Sequence, residues 1–354
     1  MTTRHEKGAF EIAVNCRFRL QPRSGVQRYA NEIVSRLERR VEAITPSWGQ
    51  ANGVGHLWEQ LALPALTRGR LLWSPGNTGP LTKRNQVVTI HDLATLDHPE
   101  WFSPRFAAFY RWLLPKLLPK VEGLICVSEF TRSRLLALLP VKPGRVTVVR
   151  PGVSRFFTRP AEAHLQQQLS ELSLDPGYLL CVAAFEPRKN YRRLLEAWSN
   201  IGHQMGSLLV LSGHTGRSHI FAPPGLKPDA SVRQLGYVSD ELLPALYAGA
   251  KAMIFPSLYE GFGMPPLEAM ACGTPVIASD RPALRETLGD AAFYCDPEDS
   301  GSIATAIATV SSSVALRQEL AGRGFERVRL FDWDRTAEQT WDVLASAARC
   351  RRLP

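Results

Sequence analysis

Along nearly the whole chain, short continuous apolar runs alternate with segments of helical period. FEIAVNC (10–16), VVTIHD (87–92), GLICVS (123–128) and VTVVR (146–150) punctuate the first half. YLLCVAA (178–184), SLLVLSG (207–213), AMIFPS (252–257) and PVIAS (275–279) punctuate the second. The runs are rich in branched residues and do not alternate apolar with polar. Both faces of each strand are therefore expected to be covered, as in a parallel sheet under crossover helices. Between the runs, VQRYANEIVSRL places Val26, Tyr29, Ala30, Ile33, Val34 and Leu37 on one helical face. RRLLEAW and ELLPALYAGA carry the same rhythm onward, Pro244 starting or interrupting the latter. This alternation in both halves predicts an α/β protein of two doubly wound units.

The stretch RPGVSRFFTRPAEAH (150–164) has neither period and is rich in Pro, Gly and Arg, so it marks the break. The expected domains are 1–158 and 159–330. A final helix over 331–354, with Ala337, Trp341, Leu344 and Ala348 on one face, is expected to pack back on the first. A length of 354 residues suits two domains.

A net charge of +9 favours an anionic partner: nucleic acid, an acidic membrane or a phosphorylated substrate. The arginines are dispersed and no zinc, RNP or helix-turn-helix pattern occurs, which argues against nucleic acid. CRFRLQPRSGV follows the first strand where a dinucleotide fold needs GxGxxG, which argues against a nicotinamide dehydrogenase. The six cysteines form no CxxC, and Cys126 and Cys181 lie inside strand-like runs, so buried free thiols are expected. The amino-terminal stretch lacks the apolar core of a signal peptide, and no run reaches the ~18–20 residues of a spanning helix. The expected place is the cytoplasm, either free or peripheral on the inner face of the cytoplasmic membrane. PRFAAFYRWLLPKLLPK (104–120) reads first as a helix packed on the sheet with its cations exposed, and second as an interfacial helix on anionic lipid.

The chemistry concentrates in SLYEGFGMPPLEAMACGTPVIASD (257–280), where Glu260 and Glu268 flank two glycines and two prolines. Pro265 and Pro266 suit the first turn of a helix, so LEAMA reads as helix and Glu260 as the loop ahead of it. Gly261 and Gly263 let backbone close on a ligand, and N–H groups at a helix start attract phosphate. A carboxylate in the helix can accept hydrogen bonds from ribose hydroxyls, and one in the loop from a sugar. Carboxylate, anion-binding backbone and carboxylate thus form a clamp for sugar, diphosphate and ribose. The competing reading is a helix cap with a surface acid.

In this setting the ExxxxxxxE spacing resembles the signature of the retaining GT-B-fold glycosyltransferases of family 4. SGVQRYANEIV, HDLATLDHPEWF, VSEFTRSRLL, VTVVRPGVSRFF, FEPRKNYRRLLEAW and LGYVSDELLPALYAGAKAMIFPSLYEGFG follow the family in order and spacing, over roughly residues 10–345. EPRKN, LWEQLALP and HDL resemble the mannosyltransferase branch acting in polysaccharide assembly. The resemblance implies two Rossmann-like domains facing a central cleft. It implies Glu268 on the ribose and Glu260 facing the transferred sugar. Gly261, Phe262, Gly263 and Met264 would lie against sugar and diphosphate. Lys189 would meet the diphosphate, Gly25 would approach the phosphates from the first domain, His91 would stand near the donor sugar, and Val238 would complete the donor site. One departure stands out. Many members carry an Arg five residues before the lysine; Ala184 stands here, and the charge is assigned to Arg188, whose other reading is a surface salt bridge. His98, His214 and His219 read as loop residues, and DWD (332–334) as structural rather than a metal motif.

The expected activity is transfer of a hexose, mannose from GDP-mannose first, onto a saccharide or lipid-linked oligosaccharide, with retention of configuration. No cofactor or metal is expected; the sugar nucleotide is a substrate, and the partners are that donor, the acceptor and an anionic membrane. UDP-glucose, UDP-galactose or dTDP-rhamnose as donor, an epimerase, and a non-catalytic GT-B scaffold are the alternatives.

Overall fold

Strands with apolar side chains on both faces must be covered on both faces, and each half of the chain meets this with its own sheet. The computed structural model describes residues 11–20, 24–46, 54–213 and 230–350. The chain divides into two compact units, one built from the residues up to Gly152 together with those from Trp333 onward, the other from Val153–Asp332.

The first unit runs β1 (Ile12–Asn15), α1 (Gly25–Arg36), β2 (Glu42–Ile44), α2 (Val54–Leu66), β3 (Leu71–Ser74), β4 (Gln86–Ile90), the single turn α3 (Ala94–Asp97), α4 (Pro104–Leu117), β5 (Gly123–Cys126), α5 (Glu129–Leu138) and β6 (Val146–Val148). The sheet order is β2-β1-β3-β4-β5-β6, parallel throughout. Every residue of β1, β3, β4 and β5 is buried. Leu113, Leu114 and Leu117 of α4 pack with Val88, Ile90 and Leu124 in one apolar core.

The second unit runs α6 (Glu162–Glu171), β7 (Tyr178–Val182), α7 (Tyr191–Met205), β8 (Leu209–Ser212), β9 (Val232–Gly236), α8 (Leu243–Ala248), β10 (Ala250–Phe255), α9 (Met264–Ala271), β11 (Val276–Ser279), α10 (Pro282–Leu288), β12 (Ala292–Cys295), α11 (Ser300–Ser312) and α12 (Val314–Val328). Its sheet order, β12-β11-β10-β7-β8-β9, is again parallel throughout. Pro244 sits in the first turn of α8, so it starts that helix rather than interrupting it. The last helix, α13 (Trp333–Cys350), belongs to the first unit, where it lies along α1 and under β3–β5.

Two details differ from the sequence reading. Residues 153–158, assigned above to the first domain, go with the second unit, since the Val153 N–H donates to Phe331 O at 3.1 Å. The strands β2, β3, β9 and β12 lie outside the predicted runs. They are short, and β2 and β9 are edge strands without a fully buried residue. The buried thiols of Cys126, Cys181, Cys272 and Cys295 are free, and burial pushes each up to about 12.

In each sheet the first strand of the unit has its successor on one side and a later strand on the other. β1 lies between β2 and β3, and β7 between β8 and β10. Crevices at the carboxyl ends of such strands are where doubly wound sheets hold ligands.

Candidate active site

At the crevice of the second unit, two chain segments leave adjacent strands. From β7 the chain enters a tight turn over Pro187–Lys189 and then Asn190, whose φ of 62° is left-handed. Asn is among the few residues that adopt this at low cost. Its side-chain amide donates to Pro256 O at 3.0 Å and Pro297 O at 2.7 Å, and the Leu258 N–H donates to Arg188 O at 2.8 Å. These bonds bolt the turn to the segment that follows β10.

That segment carries Glu260. Lys189 Nζ donates to Glu260 Oε1 at 2.6 Å and stands 5.3 Å from the ring centre of Phe255. Both partners are buried, and a buried ammonium or carboxylate is tolerated only when paired. Arg188 NH1 lies 3.7 Å from Glu260 Oε2, while its Nε donates to Glu186 Oε2 at 2.6 Å. Adjacent Arg188 and Lys189 therefore form one cluster with Glu260, which is distant in sequence.

Beyond Glu260 the chain turns sharply into α9. Gly263 has φ 96°, and a Cβ there would stand 2.6 Å from Leu284 Cδ2, so the position requires glycine. Phe262 is buried with its ring edge-on to Phe331, centres 5.6 Å apart. Met264 opens α9 with Pro265 and Pro266 in its first turn. Proline has no N–H, so fewer donors face outward here than at an ordinary helix start, and Gly263 and Met264 supply those nearest the loop. Glu268, buried on α9, accepts from the Tyr247 hydroxyl at 3.1 Å. Val238 is buried in the loop after the edge strand β9.

The other two predicted residues lie in the first unit. Gly25 is the first residue of α1, after the cap residue Ser24. His91 follows β4. Its backbone N–H donates to Asn77 Oδ1 at 2.7 Å, and its Nε2 lies 2.7 Å from Pro75 O. A carbonyl only accepts, so Nε2 carries the hydrogen and Nδ1 presents a lone pair. Burial disfavours the imidazolium and lowers its pKa, against weaker opposing pulls from Pro75 and Asp92. Of the remaining histidines weighed above, His98 stacks on Trp101 with centres 4.0 Å apart, whereas His214 and His219 lie outside the described residues. Asp334 pairs with Arg36 at 2.6 Å.

The first unit's crevice holds a polar group that sequence reasoning missed. Glu59, fully buried on α2, accepts from Asn15 Nδ2 at 2.7 Å and from the Thr78 hydroxyl at 3.0 Å. Arg17 Nε is 3.6 Å away, and with Asn15, Thr78 and Gly76 it lines a small cavity. Burial alone would raise the Glu59 carboxyl; Arg17, His56 and Asn15 together outweigh it and hold the pKa low. LWEQLALP carried the signal, a carboxylate inside an otherwise apolar helical face.

The family model for glycosyl transferases group 1 matches residues 164–327, and that for glycosyltransferase family 4 matches residues 71–155. An O-antigen chain mannosyltransferase B of Escherichia coli is 33% identical over 261 residues, covering 72% of this chain and 68% of that protein. The chain belongs to the GT-B glycosyltransferases of family 4. Within the family it sits in the mannosyltransferase-like branch. The O-antigen chain mannosyltransferase RfbU of Salmonella typhimurium is 28% identical over 285 residues, 78% of this chain and 74% of that one. Among solved structures, the sucrose-phosphate synthase of Thermosynechococcus elongatus superposes with a TM-score of 0.75 at 19% identity, covering 95% of this chain and 98% of the other. That likeness speaks for the GT-B fold. The substrate has to be argued from the site.

Proposed function

We propose that this glycosyltransferase moves mannose from GDP-mannose onto a saccharide acceptor, lipid-linked, in polysaccharide assembly, with retention of configuration. The observation that carries the reading is the Arg188–Lys189 turn fastened against Glu260 at the crevice of the second unit. A departing nucleoside diphosphate develops negative charge, and cations held in advance stabilise it without reorganising. In this reading Lys189 and Arg188 meet the diphosphate with the N–H groups of Gly263 and Met264. Glu268 holds the ribose and Glu260 the transferred sugar. Gly261 and Phe262 line the donor with Val238. The leaving phosphate helps to take the acceptor's proton. Protein cations do the work of a divalent metal here, so turnover is expected to survive EDTA. Mannose is favoured because the relatives named above are mannosyltransferases. Exposed Phe106 and Trp112 on α4, among Arg105, Arg111 and Lys116, favour peripheral contact with an anionic membrane.

The test is binding and slow hydrolysis of GDP-mannose, GDP-fucose, UDP-glucose, UDP-galactose, UDP-N-acetylglucosamine and dTDP-rhamnose. GDP-mannose is expected to bind tightest and to be the one hydrolysed. A uridine or thymidine donor in first place overturns the assignment of mannose. Silence from all six favours a non-catalytic scaffold.

A further inference from the structure

Both cations of the Arg188–Lys189 turn already hold a carboxylate. Lys189 holds Glu260, and Arg188 reaches Glu260 on one side and Glu186 on the other. Among the described residues, two positive and two negative side chains meet there. The turn keeps the two residues side by side: the Lys189 N–H donates to Glu186 O at 3.0 Å, and Arg188 O accepts from the Leu258 N–H. The Glu186 side chain is 41% exposed and that of Arg188 18%, so the pair lies where an entering anion would meet it. A phosphate arriving there competes with Glu186 for the same guanidinium and is repelled by its carboxylate.

We propose that Glu186 sets the affinity for the nucleoside diphosphate, acting through Arg188: it occupies the guanidinium in the empty site, and the diphosphate must displace it. The inference rests on the donor-site reading above. Its consequence is a deliberately loose hold on the spent nucleoside diphosphate. Glu186 is a positioning residue in this scheme, since it acts on the ligand through its neighbour.

Calorimetric titration with GDP tests it. Glu186→Gln keeps the length and a carbonyl acceptor for Arg188 but removes the charge. The Kd for GDP should fall about two- to fivefold, the scale of a half-exposed ion pair. Glu186→Asp, which keeps the charge, should stay near wild type. Arg188→Gln should weaken GDP, and adding Glu186→Gln in that background should recover little, the coupling expected of residues acting as one unit. In steady state, Glu186→Gln should lower the donor KM and, as product release slows, kcat with it. Damage to the turn weakens binding, so tightening cannot arise from a structural defect. The proposal is overturned if Glu186→Gln binds GDP no tighter than wild type, or if the gain persists without Arg188. Failure of the wild-type protein to bind GDP, UDP or dTDP is a different result, seen before any variant is made. It overturns the donor-site reading, and this inference with it.

Discussion

Lys189 and Glu260 are both buried, and each is tolerable there because of the other. Lys189→Ala leaves a buried carboxylate with a weaker partner, at a cost of about 3–5 kcal/mol in the second unit and at least ~100-fold in turnover. Lys189→Met with Glu260→Gln should regain most of the stability and none of the activity, a split that denaturant melts and turnover assays read separately. For His91 the sign follows from its lowered pKa. Above pH ~6.5 the ring is neutral folded and unfolded and contributes nothing to the pH dependence. As pH falls below ~6.5 the unfolded chain takes up the proton first, so stability drops until the folded pKa is passed. His91→Gln should flatten that acid limb of a melting-temperature profile; an unchanged profile would mean that the ring titrates normally. Much of this site was legible: Glu260, Glu268 and Lys189 stand in motifs. Their pairing was not, because 71 residues separate Lys189 from Glu260 and only the sheet order makes them neighbours. The grip of Glu186 on Arg188 was equally hidden, since the path of a tight turn decides which charges in EPRK meet.

Elements with strong patterns were the readable ones. β4, β5, β7 and β10 are buried on both faces, and a parallel strand in that position has to be apolar throughout. β9, VRQLG, is an edge strand whose partly exposed side chains leave no such mark. α2 was obscured by Pro64, which is tolerated inside that helix. Helix α4 packs on the sheet, as one of its two sequence readings has it, and leaves two aromatic rings exposed. Ala107, Leu113, Leu114 and Leu117 are buried, while Phe106 is 42% and Trp112 48% exposed, with Lys116 Nζ 4.5 Å from the Trp112 ring centre. Phe106→Ser with Trp112→Ser should therefore leave the fold intact and cut sedimentation with phosphatidylglycerol vesicles several-fold. Equal sedimentation of variant and wild type would remove α4 from the membrane reading.

At the scale of the molecule, the sequence break was placed within a few residues, but the first unit is closed by a helix from the far end of the chain. Trp333, Ala337 and Leu344 of α13 are buried in it, and the Trp333 ring meets Tyr29 with centres 5.9 Å apart. Arg36 and Arg40 reach across to Asp334 and Glu338. Removing residues 333–354 uncovers the face of α1 that carries Tyr29. The truncation should leave a chain whose first unit is cut rapidly in limited proteolysis while the second, Val153–Asp332, persists as a resistant fragment. Resistance spread evenly over both would mean that α13 is dispensable. The same feature sets an order of events on the ribosome. The unit begun first cannot finish until the whole of the other has been made, a wait of roughly 10–40 s at ordinary rates of synthesis. Through that interval the nascent first half displays an unfilled groove, and a chaperone's hold on it would end when Trp333 arrives.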